Sequence, residues 1–244
     1  MKKTIRIIIL VIAIGIMTFS GYKMWDIYRE YTIGDQFYHE YANNFIIDIV
    51  EAREVEDEEE ENHISIDFDA LIVENQDVVG WIYSEATPIN YPIVQSKDND
   101  YYLRRMLNGS YNIAGSIFMD YRNSSDFTDL NTIIYGHNLK NGTMFGTLKE
   151  YRSEEYYEKH PIIYLATSKN NYSIEVIAGY QTDIYSNIYK IPETTEELEV
   201  LYEEIIERST FKTNALFQEG DRLITLSTCT DGPDISRYVL IGKL

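Results

Sequence analysis

From residue 78 onward, the chain is divided into short runs of β-branched and aromatic residues that end at turn residues. Runs of this length and composition predict β-strands. Eight such runs occupy residues 79–83, 91–94, 116–119, 132–135, 162–166, 172–180, 221–227 and 236–242. Eight short strands with few helices between them predict a mainly β fold, either a mainly antiparallel barrel or a sandwich.

One helix is predicted within this part of the chain and another just before it. Thr194 and Glu197 have the spacing of a capping box, in which a hydroxyl and a carboxylate cap the first helical turn. Apolar residues at spacings of three and four follow over residues 198–206, and this stripe predicts a helix that packs against the sheet. Asp67 is predicted to cap a shorter helix over residues 67–75.

The chain opens with basic residues followed by an apolar run over residues 7–19. Bases ahead of an apolar segment are typical of segments handled by the export machinery, and the basic end stays in the cytoplasm. We therefore expect residues 1–23 to be a single-pass membrane anchor, with the rest of the chain on the outside of the cell membrane.

The apolar run is short for a spanning helix, which needs about 20 residues. Cleavage of a signal peptide near residues 20–25 is therefore the alternative. No small-x-small cleavage pattern follows the run, and Trp25 and Tyr28 suit a membrane interface. These features favour the uncleaved anchor.

A helical arm and an acidic linker are predicted between the anchor and the strands. Residues 24–53 carry apolar and aromatic residues at spacings of three and four, which predicts a helix. Residues 54–61 include seven acids among eight residues, a pattern typical of a solvated or disordered stretch. We therefore expect an arm and linker over residues 24–66 and a catalytic domain over residues 67–244.

The charge of the chain excludes one class of partner. It has 21 basic and 40 acidic residues and a formal net charge of −19, so a phosphate backbone would be repelled. The sequence has no zinc-ligand or phosphate-loop spacing. We expect no nucleic-acid partner, no cofactor and no metal.

The chain has one cysteine, Cys229, although exported proteins usually pair their cysteines. A lone cysteine is either an inert small hydrophobe in a core or a thiol kept for its chemistry. Cys229 ends one strand-like run, and His137 lies at the end of another. Arg237 follows eight residues after Cys229, so a hairpin of the last two strands would bring Arg237 beside it.

A cysteine and a histidine are the minimal pair for acyl transfer through a thioester. The thiolate attacks a carbonyl, and the imidazole manages the proton of the leaving group. A guanidinium beside them can stabilise the oxyanion that forms. From the residue types alone, a thiol acyl-transfer enzyme and purely structural roles for Cys229, His137 and Arg237 both stay open.

The residues around these three resemble one family. Residues 225–229 read Thr-Leu-Ser-Thr-Cys, Arg237 follows, and His137 is preceded by a glycine. This pattern closely resembles the sortases, the cysteine transpeptidases of Gram-positive surfaces. Further segments resemble class B of that family: residues 75–82, 89–95, 98–103, 115–120 and 144–148. Class B members also carry N-terminal helices and a long helix before the cysteine strand.

The resemblance implies an eight-stranded sortase-type barrel and a two-step reaction at the cell wall. Cys229 would attack the threonine carbonyl of a C-terminal sorting signal and form a thioacyl enzyme. His137 would protonate the departing amine and then help deprotonate an incoming peptidoglycan amine. Arg237 would stabilise the oxyanion and orient the signal.

The resemblance also implies a substrate groove. Ser227 and Tyr135, with Thr228 beside Ser227, match its lining and are candidates for substrate binding. The expected partners are surface proteins that bear an NPQTN-like or an (S/N/P)PxTG-like signal.

The segment after the cysteine departs from the family pattern. Residues 230–236 are few for class B, and the acid often found directly after the cysteine is missing. Asp231 is a further candidate, as a carboxylate that orients His137.

Two other functions remain as alternatives. A thiol protease would hydrolyse the same acyl-enzyme with water instead of an amine. A non-catalytic adhesin or scaffold would use the β-barrel as a binding surface only.

Overall fold

The computed structural model describes residues 2–50, 54–55, 58–59, 63–229 and 235–244. Its helices are α1 (Lys2–Phe45), α2 (Phe68–Glu74), α3 (Glu154–Lys159) and α4 (Thr195–Arg208). Its strands are β1 (Ile46–Val50), β2 (Glu54–Val55), β3 (Glu58–Glu59), β4 (His63–Ile66), β5 (Val78–Tyr83), β6 (Asn90–Val94), β7 (Ile117–Met119), β8 (Asn131–Tyr135), β9 (Ile162–Ala166), β10 (Asn171–Asp183), β11 (Leu223–Cys229) and β12 (Ser236–Lys243). Short 3-10 helices occupy Tyr101–Leu103, Leu148–Arg152 and Asn187–Tyr189.

Strands β5 to β12 close into a barrel in the order β10-β12-β11-β8-β7-β6-β5-β9. The pairs β8/β11 and β6/β7 are parallel, and the other pairs around the barrel are antiparallel. The eight predicted strands are confirmed, with ends that move by at most three residues. Of the two architectures that the strand pattern allowed, the barrel is the one that forms.

Alternate residues of the barrel strands point inward and fill its interior. The fully buried members of this core include Ile82, Ile93, Ile117, Ile134, Phe145, Leu165 and Val176. A second apolar cluster joins α4 to the outer face of β10, β11 and β12. A third cluster joins α1 and α2 to Trp81 and its neighbours on the other side of the barrel.

Helix α4 is the helix predicted from the capping box. The hydroxyl of Thr194 accepts a hydrogen bond from the backbone N–H of Glu197 at 3.3 Å. The carboxylate of Glu197 accepts from the backbone N–H of Glu193 at 2.9 Å, one residue before the expected donor. The predicted apolar stripe is buried against the barrel, as Leu198, Leu201 and Ile205 show. The two side chains therefore cap the helix nearly as predicted.

The N-terminal prediction is confirmed in part. Helix α1 runs without interruption from Lys2 to Phe45, so the apolar segment and the arm are one helix. It is long and apolar enough to cross a membrane, with a mean hydropathy of 2.1 in its apolar window, a test that a signal sequence also passes.

The predicted helix over residues 24–53 does not extend past Phe45. Residues 46–50 form strand β1, which pairs antiparallel with β4. This run is rich in β-branched isoleucine and valine, and a β-strand partner is available later in the chain. Strand pairing is therefore favoured over continuation of the helix at residues 46–50, and that part of the helix prediction is wrong.

The structure describes only part of the acidic stretch but all of the helix that follows it. Within residues 54–61, β2 pairs with β3, and the other residues lie outside the described part of the chain. Its expected solvation stays a prediction. The carboxylate of Asp67 accepts a hydrogen bond from the N–H of Ala70 at 3.0 Å, which confirms Asp67 as the cap of α2.

Candidate active site

Strand register brings the three candidate catalytic residues to one end of the barrel. Cys229 on β11 pairs directly with Arg237 on β12, as the predicted hairpin requires. Strand β8 runs parallel to β11 with Tyr135 beside Ser227, and the N–H of the next residue donates to the Ser227 carbonyl at 3.1 Å. His137 and Cys229 each follow this pair by two residues, so they lie at the same height along the barrel.

The alternation of the strands places these residues on the outer face of the barrel. Leu226 and Tyr238 belong to the interior core, so Cys229 and Arg237 occupy positions of the opposite face. An added Cβ on the residue before His137, Gly136, would lie 2.5 Å from Ile117 and 2.6 Å from Phe145 of the interior. Gly136 therefore faces inward, and position 137 faces outward.

His137 is held by a backbone carbonyl. Its Nε2 lies 2.5 Å from the carbonyl oxygen of Leu103. A carbonyl only accepts, so Nε2 carries the hydrogen. In the neutral ring, Nδ1 is then the unprotonated nitrogen that can take a proton from a thiol.

Burial sets the proton affinity of this histidine. Burial lowers the pKa of His137 below its usual value, the bond to the Leu103 carbonyl opposes that effect, and the charge of Arg104 lowers the pKa further. The neutral ring, which can act as a base, is therefore favoured near neutral pH. The sequence pattern did not indicate Leu103, because its backbone oxygen comes from a different segment of the chain.

A tyrosine pair lies next to the predicted groove residues. Tyr135 stacks on Tyr189 with ring centroids 6.3 Å apart and an interplanar angle of 17°. The Tyr189 hydroxyl lies 2.8 Å from the hydroxyl of Ser227, which is 1% exposed. Ser227 is therefore buried beneath Tyr189, and the rings of Tyr135 and Tyr189 are half-buried. Sequence reasoning missed Tyr189, which is one of 22 tyrosines and lies 38 residues before Ser227.

A buried carboxylate fixes this tyrosine pair. The hydroxyl of Tyr135 donates to Asp120 at 2.9 Å, and the Arg122 side chain donates to Asp120 at 2.9 and 2.8 Å. Arg122 also donates to the carbonyl of Tyr189 at 3.2 Å. Burial raises the pKa of Asp120, but hydrogen bonds from Arg122 and Tyr135 outweigh it and hold the pKa below its usual value. Asp120 therefore stays charged and holds both rings in place.

Two other candidates lie apart from this surface. Thr228 pairs with Tyr238, and at 3% exposure it is buried on the inner side of β11. Asp231 lies outside the described residues. Across the described part of the chain, no three His, Cys, Asp or Glu side chains are grouped in a way that could hold a metal ion.

The sequence and the closed barrel of this chain match known proteins. Residues 82–244 match the family model of the Sortase domain. The chain is 38% identical over 240 residues to Sortase B of Listeria monocytogenes, a match that covers 96% of this chain and 94% of that protein. The chain therefore belongs to the sortase family of cysteine transpeptidases.

Solved structures agree and indicate the class. Sortase B of B. anthracis in complex with AAEK1 has a TM-score of 0.76 and 38% identity, covering 89% of this chain and 99% of that chain. The Staphylococcus aureus sortase B-substrate complex has a TM-score of 0.69 and 34% identity, covering 72% of this chain and 83% of that chain. Within its family, the chain is thus a class B sortase.

Proposed function

We propose that this sortase cleaves a C-terminal sorting signal after its threonine and transfers the protein to a peptidoglycan amine, with Cys229 as the nucleophile. The observation that carries the proposal is the strand register, which pairs Cys229 with Arg237 and brings His137 to the same level. A thiol, an imidazole and a guanidinium would together supply a nucleophile, an acid–base group and an anion-stabilising group.

The first step forms the thioester. The thiol of Cys229 gives its proton to Nδ1 of His137, because Nε2 is already bonded to the Leu103 carbonyl. The thiolate attacks the threonine carbonyl carbon, and the scissile C–N bond breaks. The departing amine takes the proton from the imidazolium, so charge and protons balance.

The second step reverses this order. A peptidoglycan amine attacks the thioester, His137 accepts a proton from the amine, and the C–S bond breaks. The proton returns to the Cys229 thiolate, and a new amide joins the surface protein to the cell wall. The reaction exchanges one amide for another and needs no oxidant, reductant or cofactor.

Arg237 is proposed to stabilise the oxyanion in both steps. Its backbone is the direct pairing partner of Cys229, and its NH1 donates to the carbonyl of Ser236 at 2.9 Å. A guanidinium has further N–H donors beyond this bond. A donor aimed at the developing oxyanion stabilises the transition state more than the substrate.

The substrate is proposed to be a five-residue signal, NPQTN-like or (S/N/P)PxTG-like, that binds along the tyrosine pair. Tyr135 offers a partly exposed ring beside the catalytic residues, and Ser227 supports the adjacent Tyr189. The Staphylococcus aureus relative has been solved as a substrate complex, which supports a substrate site on this fold. Thr228 is the weakest of the three substrate-binding candidates, because it is buried on the inner side.

The location is proposed to be the outer surface of the cell membrane. Residues 1–23 would anchor the protein with the N-terminus in the cytoplasm, residues 24–66 would form the arm and linker, and residues 67–244 would form the catalytic domain. The continuous α1 supports this arrangement, because one helix contains both the apolar segment and the start of the arm.

The test uses fluorogenic peptides of both signal types and the full-length protein in detergent micelles. We expect Cys229→Ala to abolish cleavage, and His137→Ala and Arg237→Ala to reduce it by orders of magnitude. Full cleavage by Cys229→Ala would refute the proposed mechanism.

Product analysis separates transpeptidation from proteolysis. With an added amine nucleophile, we expect the aminolysis product to exceed the free acid. A predominance of the acid would instead support the thiol protease.

A further inference from the structure

Helix α1 docks on the segment that carries the carbonyl bonded to His137. We call residues 102–116 the docking loop. The carbonyl of Glu30 accepts from the side chain of Asn112 at 3.0 Å, and its carboxylate accepts from the N–H of Ile113 at 3.2 Å. One turn later, Gly34 is so close that an added Cβ would lie 3.0 Å from both Asn112 and Ala114. The helix therefore lies directly on the loop.

Tyr38 makes the deepest of these contacts. It is 2% exposed, and its hydroxyl donates to the carbonyl of Gly115 at 2.6 Å and lies 2.9 Å from the hydroxyl of Ser116. Burial raises the pKa of Tyr38, so its hydroxyl keeps its hydrogen. The phenol thus ties α1 to the end of the docking loop.

The docking loop connects the Tyr38 contact to Leu103. Gly115 has a φ of +58°, and an added Cβ there would lie 2.5 Å from the Leu103 carbonyl oxygen. The residues on either side of Leu103 are also hydrogen-bonded to residues 112–116. The backbone carbonyl of Tyr102 accepts from the N–H of Ser116 at 3.0 Å, and the backbone carbonyl of Arg104 accepts from the N–H of Asn112 at 3.0 Å. The position of the Leu103 carbonyl therefore depends on residues 112–116.

A second route links Tyr38 to the segment after His137. The rings of Tyr38 and Tyr91 meet edge to face with centroids 5.4 Å apart. The Tyr91 hydroxyl accepts from the N–H of Met144 at 2.9 Å, and the N–H of Phe145 donates to the carbonyl of His137 at 3.0 Å. Tyr38 thus contacts elements that hold both the backbone and the imidazole of His137.

We propose that Tyr38 is a positioning residue for His137, which acts by holding the docking loop so that the Leu103 carbonyl meets Nε2. The inference rests on the proposed role of His137 as the acid–base group. It implies that docking of the membrane-proximal helix is part of what makes the active site competent.

The expected signature is a change in kcat and in the pH profile. Loss of the Tyr38 hydroxyl loosens the carbonyl that raises the pKa of His137, so that pKa falls further. Among the neighbouring groups, Arg104 on the docking loop lowers the pKa of His137, and the register places Cys229 and Arg237 at the level of the ring. Tyr38→Phe removes none of these groups. The neutral ring, which takes the thiol proton in the proposed mechanism, then persists to a lower pH, and the acid limb of kcat moves to lower pH.

The experiment compares two matched variants of the full chain in detergent micelles. Tyr38→Phe removes the hydroxyl that donates to Gly115. Tyr151→Phe removes a hydroxyl of the same kind, because Tyr151 is also buried and donates to the carbonyl of His160 at 2.8 Å, away from the docking loop. Cleavage of signal peptides gives kcat and KM as a function of pH. NMR titration of the His137 imidazole, assigned by its absence in His137→Ala, gives the pKa directly.

We expect Tyr38→Phe to lower kcat about threefold to tenfold, the effect of one hydrogen bond, with little change in KM. The His137 pKa and the acid limb of the pH profile should both move to lower pH. Tyr151→Phe should lose similar thermal stability but keep the wild-type kcat and pH profile. If both variants keep the wild-type profile, or shift it equally, the proposal is overturned.

A second variant covers the case in which Tyr38→Phe does not fold. Gly34→Ala favours the helix but forces α1 away from Ala114 and Asn112 by a few tenths of an ångström, and it should shift the same limb in the same direction. An unshifted limb in Gly34→Ala then overturns the proposal. Failure of the proposed function appears differently, as a wild type that cleaves no signal peptide or a fully active His137→Ala, and this also overturns the inference.

Discussion

Gly136 offers the sharpest test of how the barrel positions the site, because it lies on the interior face next to His137. In Gly136→Ala, the new methyl would lie 2.5 Å from the Cδ1 of Ile117 and 2.6 Å from the Cδ2 of Phe145. Non-bonded carbon atoms normally stay at least about 3.5 Å apart, so the end of β8 has to move outward by about 1 Å. Both neighbours are fully buried and cannot yield easily.

The displacement has two separate consequences. Overpacking of a core costs about 1–3 kcal/mol, which lowers the melting temperature by several degrees for a domain of this size, at about 2–4 °C per kcal/mol. Misplacing an acid–base group by about 1 Å can cost about 100-fold in rate. Since each tenfold in rate corresponds to about 1.36 kcal/mol, the barrier rises by about 2.7 kcal/mol.

The control is a similar overpacking at the other end of the barrel. In Gly242→Ala, the methyl would clash with the Cγ2 of Ile174, near the end of β12 that is remote from Arg237. Peptide cleavage and thermal melting should show a comparable loss of stability in both variants, with the large fall in kcat confined to Gly136→Ala. A wild-type kcat in a folded Gly136→Ala protein would refute the placement of His137 by β8.

Two further predictions concern the supports of the site. Asp120→Asn should raise KM about tenfold, because one charge-assisted hydrogen bond to Arg122 contributes about 1.5–3 kcal/mol to the order of the tyrosine pair. Since the pKa of Asp120 is lowered, its stabilisation is present above about pH 4 and is lost as the pH falls through the lowered pKa. Thermal melts from pH 6 to 2, a range of about four units, should therefore show wild type and Asp120→Asn converging at acid pH. Thr194→Ala should cost about 1 kcal/mol by removing the cap of α4, with an unchanged kcat, and a fall in kcat would contradict a purely structural role.

The sequence was sufficient to predict those elements whose structure depends on residues within one short segment. The cap of α2 at Asp67 and the cap of α4 at Thr194 could be predicted because both depend on hydrogen bonds within four residues. The strand-forming runs could be predicted because β-branched and aromatic residues recur between turns. The error at residues 46–50 has the opposite cause, because that segment pairs with a strand that begins thirteen residues later, at His63.

The residues of the candidate site also differ in whether the sequence predicts them. Cys229, His137 and Arg237 are recognisable from a motif, because their chemistry is distinctive and their spacing follows the strands. The partners that hold them are not recognisable. Leu103 contributes a backbone oxygen, which any residue type has, and Asp120 is one of 40 acidic residues.

Residue type and short-range spacing were therefore enough to predict the strands, the two caps, the family and the three candidate catalytic residues. The three-dimensional structure was needed to show that α1 ends at Phe45 and docks on residues 102–116, and that Nε2 of His137 is bonded to Leu103. These features arise from contacts between segments tens of residues apart. Their energies depend on register, burial and carbonyl direction, which exist only once the barrel has closed.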